Sequence, residues 1–353
     1  MMRRVCGPLA FAPLVIAGIA LTLTAQAGGV GVTQIDVPDP VSGSRMPGFV
    51  FYPSTRPGDG PTTFGPYRVE AASDAPKPNR MLPLVVLSHG QGGSNLAHHD
   101  LATYLAARGL IVATIEHPGD NFRDSSGVGR PQVLFGRPRQ ISALISALLA
   151  DSIWRDRIDA NRIGAAGFSM GAYTSLLLVG GVPRWERLAD YCMRRPQDRE
   201  TCGVLERLGE AAGRKSVRDY LQTIQAEQLH WTLPDTRVAA AFAMAPMSVV
   251  FERDGAARIN RPVLLYHAEN DHVLPPKENA LHLAALIAAP LTTRIVRDAG
   301  HYVFLSPCSS TLAQERTEIC VDQPGVNRVA AHEQINADAL AFFRRTLNLP
   351  SPQ

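Results

Sequence analysis

From residue 82 onwards, short apolar runs alternate with segments of helical spacing, and this alternation limits the fold more than any other feature. The first run is continuously apolar, as expected of a strand buried on both faces. Repeated strand–helix alternation predicts a mostly parallel sheet covered by helices on both sides. The predicted elements are Leu84–Ser88, Asn95–Arg108, Leu110–Ile115, Arg137–Asp151, Arg162–Ala166, Met170–Val179, Val238–Met244, Val263–His267, Glu278–Ile287, Thr293–Val296 and Ala330–Leu347.

The N-terminal part of the chain has a different character. Two strand-like runs, Val32–Val37 and Pro47–Tyr52, precede residues 54–80, which are rich in Pro, Gly and Ser and have no period. Such a composition predicts a loop that crosses the surface.

The first 27 residues have the three parts of a secretory signal. Arg3 and Arg4 form a basic start, Leu9–Leu23 is a mostly apolar run, and Ala25-Gln26-Ala27 is a cleavage site of the A-x-A type. A membrane anchor is the alternative, but the run is short for a span and no polar stop-transfer flank follows it. We therefore predict a mature chain of residues 28–353 without a stable membrane anchor, exported to the periplasm or the extracellular space.

Removal of this signal would also remove Cys6 and leave an even number of cysteines. An even count in an exported chain suggests disulfides, and the local pairs Cys192–Cys202 and Cys308–Cys320 are favoured. Four free buried thiols are the alternative. The spacings do not fit a zinc motif, so we expect no metal. The chain also lacks a basic stripe interleaved with aromatic residues, which argues against a nucleic-acid partner.

Residues 184–235 are much richer in charge than the rest of the chain. Apolar residues at Val204, Leu205 and Leu208, and again at Val217 and Leu221, have helical spacing within this segment. We predict a small helical insertion that caps the cleft of the main domain. An outer ornament without a catalytic role is the alternative.

The segment Gly167-Phe168-Ser169-Met170-Gly171 places a serine between two glycines, after a predicted strand and before a predicted helix. This is the G-x-S-x-G pattern of a nucleophile elbow, a sharp turn in which bulkier flanking side chains would clash. The pattern alone is common, but its context indicates that Ser169 is a nucleophile rather than part of a turn without chemistry.

A serine hydroxyl is a weak nucleophile at neutral pH, so it needs a base and a group that orients the base. After a nucleophile elbow these follow in the order acid, then histidine. Asp271 lies just past a predicted strand and is the predicted acid. Glu269 follows the strand too closely and Asp298 lies too near the histidine. The predicted base is His301, in the loop after the last strand.

Other histidines have weaker sequence contexts. His98 and His99 are interpreted as solvated residues of a helix, and His282 and His332 have no distinctive surroundings.

The segment Ser88-His89-Gly90-Gln91-Gly92-Gly93 follows a buried strand, where a glycine-rich loop can supply a backbone N–H to an oxyanion. We predict the N–H groups of Gln91 and Met170 as the two donors. A phosphate cradle is the alternative, but the loop lacks both the Gly-Lys-Ser/Thr ending and the G-x-G-x-x-G spacing. No cofactor is therefore expected.

Together these segments resemble the secreted dienelactone hydrolase-like branch of the α/β-hydrolases, which is similar to the platelet-activating factor acetylhydrolases. The resemblance covers about residues 45–347 and implies a triad of Ser169, Asp271 and His301. Phe168 and Met170 stand where the acetylhydrolases usually have His and Phe. The resemblance rests on the segments 84–93, 116–121, 162–171, 270–275 and 299–302, and on the cysteine-flanked stretch before the last helix.

The predicted function is a secreted serine carboxylic ester hydrolase that acts through an acyl-enzyme on a small-molecule ester. The charge of residues 184–235 argues against a greasy lid and predicts short-acyl or soluble substrates. The alternatives are a phospholipid acetylhydrolase, a lactonase or polyester hydrolase, and an inactive hydrolase-fold binding protein, which would normally lack a triad member.

Overall fold

The computed structural model describes residues 29–54, 60–199, 201–228, 231 and 234–349. The predicted signal sequence lies outside these residues. Within the described ranges, no helix combines the length and the apolar character needed to cross a membrane.

A twisted sheet of nine strands forms the centre of the described chain. The described residues contain eleven strands in all, two of which lie outside this sheet: β1 Gly29–Pro38, β2 Arg45–Ser54, β3 Thr62–Phe64, β4 Tyr67–Val69, β5 Ala72–Ser73, β6 Leu82–Ser88, β7 Ile111–Ile115, β8 Ile158–Phe168, β9 Val238–Met244, β10 Val263–Ala268 and β11 Leu291–Val296. Their order in the sheet is β11-β10-β9-β8-β6-β7-β2-β1-β5, with β3 and β4 in a separate hairpin. All neighbours from β11 to β7 pair in parallel, whereas β2 is antiparallel to both β7 and β1. The predicted mostly parallel sheet is confirmed.

Helices cover both faces of this sheet. They are α1 His99–Ala106, α2 Pro131–Leu134, α3 Gly136–Ala150, α4 Met170–Leu178, α5 Trp185–Arg194, α6 Cys202–Ala211, α7 Val217–Gln228, α8 Arg253–Ala256, α9 Ala280–Ala284, α10 Ser310–Glu315, α11 Thr317–Cys320 and α12 Arg328–Thr346. Helices α3 and α4 pack in one apolar core cluster, and α1 and α12 in the other. Along β6, Leu84 and Val86 join the first cluster while Val85 and Leu87 join the second, as the alternation of side chains along a strand requires.

Three local predictions differ from the structure. Residues 54–80 contain the β3–β4 hairpin and β5, and Val69 is fully buried, so much of this segment packs on the core. Helix α1 begins only at His99, because the Ser94 hydroxyl accepts the Leu96 N–H at 3.2 Å and forms a turn instead. The helix predicted at 278–287 is limited to α9.

Helices α5, α6 and α7 lie between α4 and β9 and belong to the charged segment 184–235, which we call the helical segment. Ion pairs such as Arg218–Asp190 and Arg199–Glu206 lie on its surface, while Leu188 joins the core. A disulfide joins Cys192 to Cys202, and a second joins Cys308 to Cys320; these are the two local pairings favoured from the sequence.

Candidate active site

The predicted site residues all follow strands at the carboxyl edge of the sheet. Gln91 lies in the loop after β6, Ser169 directly follows β8, Asp271 follows β10, and His301 follows β11. The carboxyl ends of parallel strands face the same side, which is where open α/β sheets bind ligands. The fold therefore gathers residues that are far apart in sequence.

Ser169 occupies a sharp turn between β8 and α4. Its backbone has φ 54° and ψ −114°, a conformation that L-residues rarely adopt. A Cβ on Gly167 would lie 2.1 Å from the Gly171 carbonyl oxygen, and a Cβ on Gly171 would lie 1.9 Å from that of Ser88. Both flanking positions therefore require glycine. The Ser169 N–H donates to the Met244 carbonyl at 2.8 Å, which anchors the turn to β9.

His301 is oriented by a buried carboxylate. Its Nδ1 donates to Asp271 Oδ2 at 2.6 Å, and Asp271 Oδ1 accepts the Leu274 N–H at 2.7 Å. Because Nδ1 carries this proton, Nε2 of a neutral His301 is left as the basic nitrogen. Ser169 and His301 line one cleft, although no hydrogen bond joins them in the described structure. Such bonds are often long until substrate is bound.

The two rival acids have other contacts. Glu269 accepts Arg297 Nη1 at 2.9 Å and the Asp298 N–H at 3.0 Å. The Asp298 N–H and the Arg297 guanidinium together lower the pKa of Glu269. Asp298 itself is exposed. Asp271 is the acid that contacts His301.

The predicted oxyanion donors face the same cleft. Gln91 and Met170 line it together with Ser169. Neither backbone N–H has a hydrogen-bond acceptor among the described residues. The backbone of Gly90, the residue before Gln91, lies so close to Phe168 that a Cβ at Gly90 would be 2.9 Å from the Phe168 ring. The arrangement leaves two free N–H donors beside the serine, as oxyanion stabilisation requires.

A fully buried ion pair holds the loop 88–93, which we call the Gln91 loop, and we refer to this pair as the clamp. Arg137 on α3 bonds Asp120 at 2.7 Å, and their side chains are 1% and 0% exposed. The second Asp120 oxygen accepts the Gly92 N–H at 2.8 Å, while Arg137 also donates to the His89 carbonyl. One carboxylate and one guanidinium thus hold the loop on both sides of Gln91.

Two buried histidines complete this clamp. His89 Nε2 accepts the His117 N–H at 3.2 Å, so Nδ1 carries the proton and donates to the Gly90 carbonyl at 2.6 Å. His117 Nδ1 contacts Gln140 at 2.7 Å and its Nε2 contacts Ser88 Oγ at 2.9 Å. Burial keeps both rings neutral by lowering their pKa well below the usual value.

The interpretation of His98 as a solvated residue is wrong. His98 is 3% exposed, and its Nδ1 lies 3.0 Å from the Phe304 carbonyl, in the turn that carries His301. His332 supports the same turn, with Nε2 2.7 Å from the Val303 carbonyl and Nδ1 2.5 Å from Asp100. Burial alone would lower the pKa of His332, but the Asp100 carboxylate outweighs it and raises that pKa.

Sequence reasoning missed these supporting residues. The sequence indicates Arg137 only as the start of a predicted helix, and Asp120 only as part of the segment Glu116-His-Pro-Gly-Asp-Asn121. The available signal in the sequence was the Pro-Gly turn after a buried strand, because charged and imidazole side chains beside such a turn can support a neighbouring site.

The serine cleft has a volume of about 170 Å³. Helices α5 and α6 and the residue before α6 contribute part of its wall, and the exposed charges of the helical segment are not among the lining residues. The lining side chains from this segment are Trp185, Leu188, Thr201, Val204 and Leu205. In the described part of the chain, no group of three or more His, Cys, Asp or Glu side chains could hold a metal ion.

Comparison with known proteins agrees with this architecture. Residues 61–128 match the family described as platelet-activating factor acetylhydrolase, isoform II. A ferulic acid esterase from Streptomyces cinnamoneus has 21% sequence identity, covers 93% of each chain and superposes with a TM-score of 0.61. None of the curated proteins matches. The chain has the α/β-hydrolase fold, and residues 61–128 relate it to the acetylhydrolases.

Proposed function

We propose that this α/β-hydrolase is a serine hydrolase of carboxylic esters, with Ser169 as nucleophile, His301 as base and Asp271 as its orienting acid. One observation carries the proposal. A serine held at φ 54° faces the same cleft as an imidazole whose Nδ1 donates to a buried carboxylate at 2.6 Å. Backbone strain at a serine that lines a cleft, and a fixed tautomer at the neighbouring imidazole, are both costs that catalysis explains.

In the proposed reaction, His301 Nε2 takes the proton of Ser169 Oγ as that oxygen attacks the ester carbonyl. The N–H groups of Gln91 and Met170 donate to the developing oxyanion, and each such donor is worth about 100-fold to 1,000-fold in kcat. The imidazolium then protonates the leaving alcohol. Water, deprotonated by His301, releases the acid from the acyl-enzyme, and Asp271 stays ionised throughout.

The substrate is proposed to carry a short group on the side that enters the serine cleft. The small volume and the apolar lining from α5 and α6 favour a short acyl chain over a long one. We further propose that the helical segment acts as a cap, because its apolar face forms part of this wall. A chain-length panel of nitrophenyl esters with its optimum at long chains would contradict the short-acyl assignment.

A phospholipid acetylhydrolase is the second candidate, and the match of residues 61–128 favours it. Release of acetate from an acetylated phosphocholine lipid, at a kcat/KM above that for nitrophenyl acetate, would decide for this candidate. A kcat/KM below that for nitrophenyl acetate would decide against it.

The direct test is Ser169→Ala, with the exposed Ser146→Ala on α3 as control. We expect the first variant to lose nitrophenyl acetate hydrolysis and labelling by a fluorophosphonate probe, and the control to keep both. Unchanged turnover in Ser169→Ala would refute the mechanism.

We also propose that residues 1–27 direct export and are removed. Two disulfides in the described chain support an oxidising compartment. N-terminal sequencing of protein from the periplasm or medium should start at Gly28, and an intact start at Met1 would contradict cleavage.

A further inference from the structure

A second cavity, which we call the side cavity, adjoins the serine cleft and has a volume of about 320 Å³. The two spaces share three lining residues, Gln91, Phe168 and Tyr302. Gln91 is the proposed oxyanion donor, so a bound ester carbonyl would sit at the junction of the two. The side cavity thus begins where one half of a substrate would point.

The outer wall of the side cavity is a loop held in place by a disulfide and by hydrogen bonds. Cys308, which lines it, is bonded to Cys320 and so closes the loop that contains α10 and α11. Ser309 Oγ donates to the Pro66 carbonyl at 2.5 Å and joins this loop to the β3–β4 turn. The Ser306 N–H donates to the Ala97 carbonyl at 2.9 Å and fixes the base of the same loop. These ties hold the wall in place without a ligand.

The chemistry of the lining selects the kind of group that fits. The lining includes the aromatic side chains of Tyr67 and Phe122 and the aliphatic side chains of Leu312 and Ile319. The charged lining residues are Glu315 and Arg316, both of them exposed, and the Arg316 guanidinium is paired with Glu318 at 2.5 Å. Aromatic and aliphatic walls favour an uncharged apolar group, and edge or face contacts favour a ring.

We propose that the side cavity binds an aryl-sized apolar group on one half of the ester, while the serine cleft holds the smaller half. This inference rests on the proposed function, because it places the ester carbonyl at Gln91. Because the proposed function places a short acyl group in the serine cleft, the aryl group belongs to the alcohol side of the ester bond, and the two arms of the test check this against the acyl side.

The test fills the side cavity with Ile319→Trp, a change at a half-buried position of the disulfide-closed loop. The matched control is Val329→Trp, at a 57% exposed position on α12. Ethyl acetate, benzyl acetate and ethyl phenylacetate are hydrolysed by full-length mature enzyme in a pH-stat. Labelling of Ser169 by a small fluorophosphonate tests the nucleophile separately in each protein.

We expect the unmodified enzyme to prefer one aryl ester over ethyl acetate, and Ile319→Trp to lower its kcat/KM about tenfold through KM. Ethyl acetate hydrolysis and Ser169 labelling should stay within twofold, and the control should match the unmodified enzyme. Loss with benzyl acetate places the aryl group on the alcohol side, whereas loss with ethyl phenylacetate places it on the acyl side and contradicts the short-acyl assignment. No aryl preference, or an equal fall for all three esters, overturns the proposal, whereas absent labelling overturns the proposed function instead.

Discussion

Asp120→Asn removes the counter-charge of a guanidinium that is 1% exposed, while an amide oxygen can still accept the Gly92 N–H. Breaking a buried ion pair in this way costs about 3–5 kcal/mol, because one charge is left buried without its partner. For a chain of this size, about 2 °C of Tm is lost per kcal/mol. We therefore expect the Tm of Asp120→Asn to fall by roughly 6–10 °C.

The same change should slow catalysis. Arg137 would bond another acceptor, and its hydrogen bond to the His89 carbonyl, in the loop that carries the proposed donor Gln91, would weaken. A displacement of about 1 Å in a catalytic group can cost about 100-fold in rate. Because an oxyanion donor acts on the transition state, we expect kcat to fall about 10-fold to 100-fold with little change in KM.

The assay combines thermal melts by circular dichroism with nitrophenyl acetate kinetics at 25 °C. Asp36→Asn is the control, because the Arg45–Asp36 pair is 56% and 53% exposed and should be worth less than about 1 kcal/mol. The double variant Asp120→Leu with Arg137→Met should regain stability but not kcat, since Gly92 and His89 lose their partners. Asp120→Asn with an unchanged Tm would refute the energetic argument, and an unchanged kcat would refute the role of the clamp in positioning Gln91.

Gly171→Ala should abolish activity or folding, because the new Cβ would lie 1.9 Å from the Ser88 carbonyl oxygen; soluble yield and kcat report this. Burial lowers the pKa of His98 to about 4, so its stabilising contribution is present above about pH 6.5 and lost as the pH falls towards 4. The Tm should fall over that window, and less steeply in His98→Asn. Replacing Cys308 and Cys320 by Ser opens a loop of sequence separation 12 and should lower the free energy of unfolding by about 3 kcal/mol, measured in urea.

Each of these has a control. Gly209→Ala on α6 adds a Cβ whose nearest neighbour, the Tyr220 side chain, lies 3.5 Å away at ordinary van der Waals distance, and it should keep full activity. His332 has a raised pKa, so its contribution is present below about pH 6.5 and is lost as the pH rises through its folded pKa. His332→Gln should therefore lower the Tm most below about pH 6.5 and flatten the fall in Tm above that pH. For the disulfide prediction the comparison is replacement of Cys192 and Cys202, whose disulfide closes a loop of similar length, and this replacement should lower the free energy of unfolding by a similar amount. Full activity in Gly171→Ala would contradict the steric argument. A Tm that changes with pH as steeply in His98→Asn as in the unmodified protein would contradict the titration argument. An unchanged urea midpoint after replacement of Cys308 and Cys320 would contradict the disulfide argument.

The parts of the structure that were predictable are those with a local signature. The elbow around Ser169 needs two glycines, a preceding strand and a following helix, and all of these lie within a short stretch of sequence. The parallel sheet was likewise visible because strands such as β6 are apolar throughout, which is what burial on both faces requires.

The clamp and the histidine supports were not predictable, because their partners are distant in sequence. Arg137 stands at the start of a helix, where a charged side chain is normally solvated; only Asp120, from a separate loop, makes its burial tolerable. His98 meets the Phe304 carbonyl across 206 residues, so no local pattern could distinguish it from a surface histidine. The prediction of a surface loop at residues 54–80 is wrong for the same reason, because tertiary packing buries Val69.

The two spaces that meet at Gln91 differ almost twofold in volume, about 170 Å³ against about 320 Å³. An ester with one small and one large half can place both halves correctly in only one direction of its ester bond. The proposed site would therefore read the direction of the ester bond as well as size, and of two esters that carry the same groups on opposite sides of that bond it would hydrolyse one much faster.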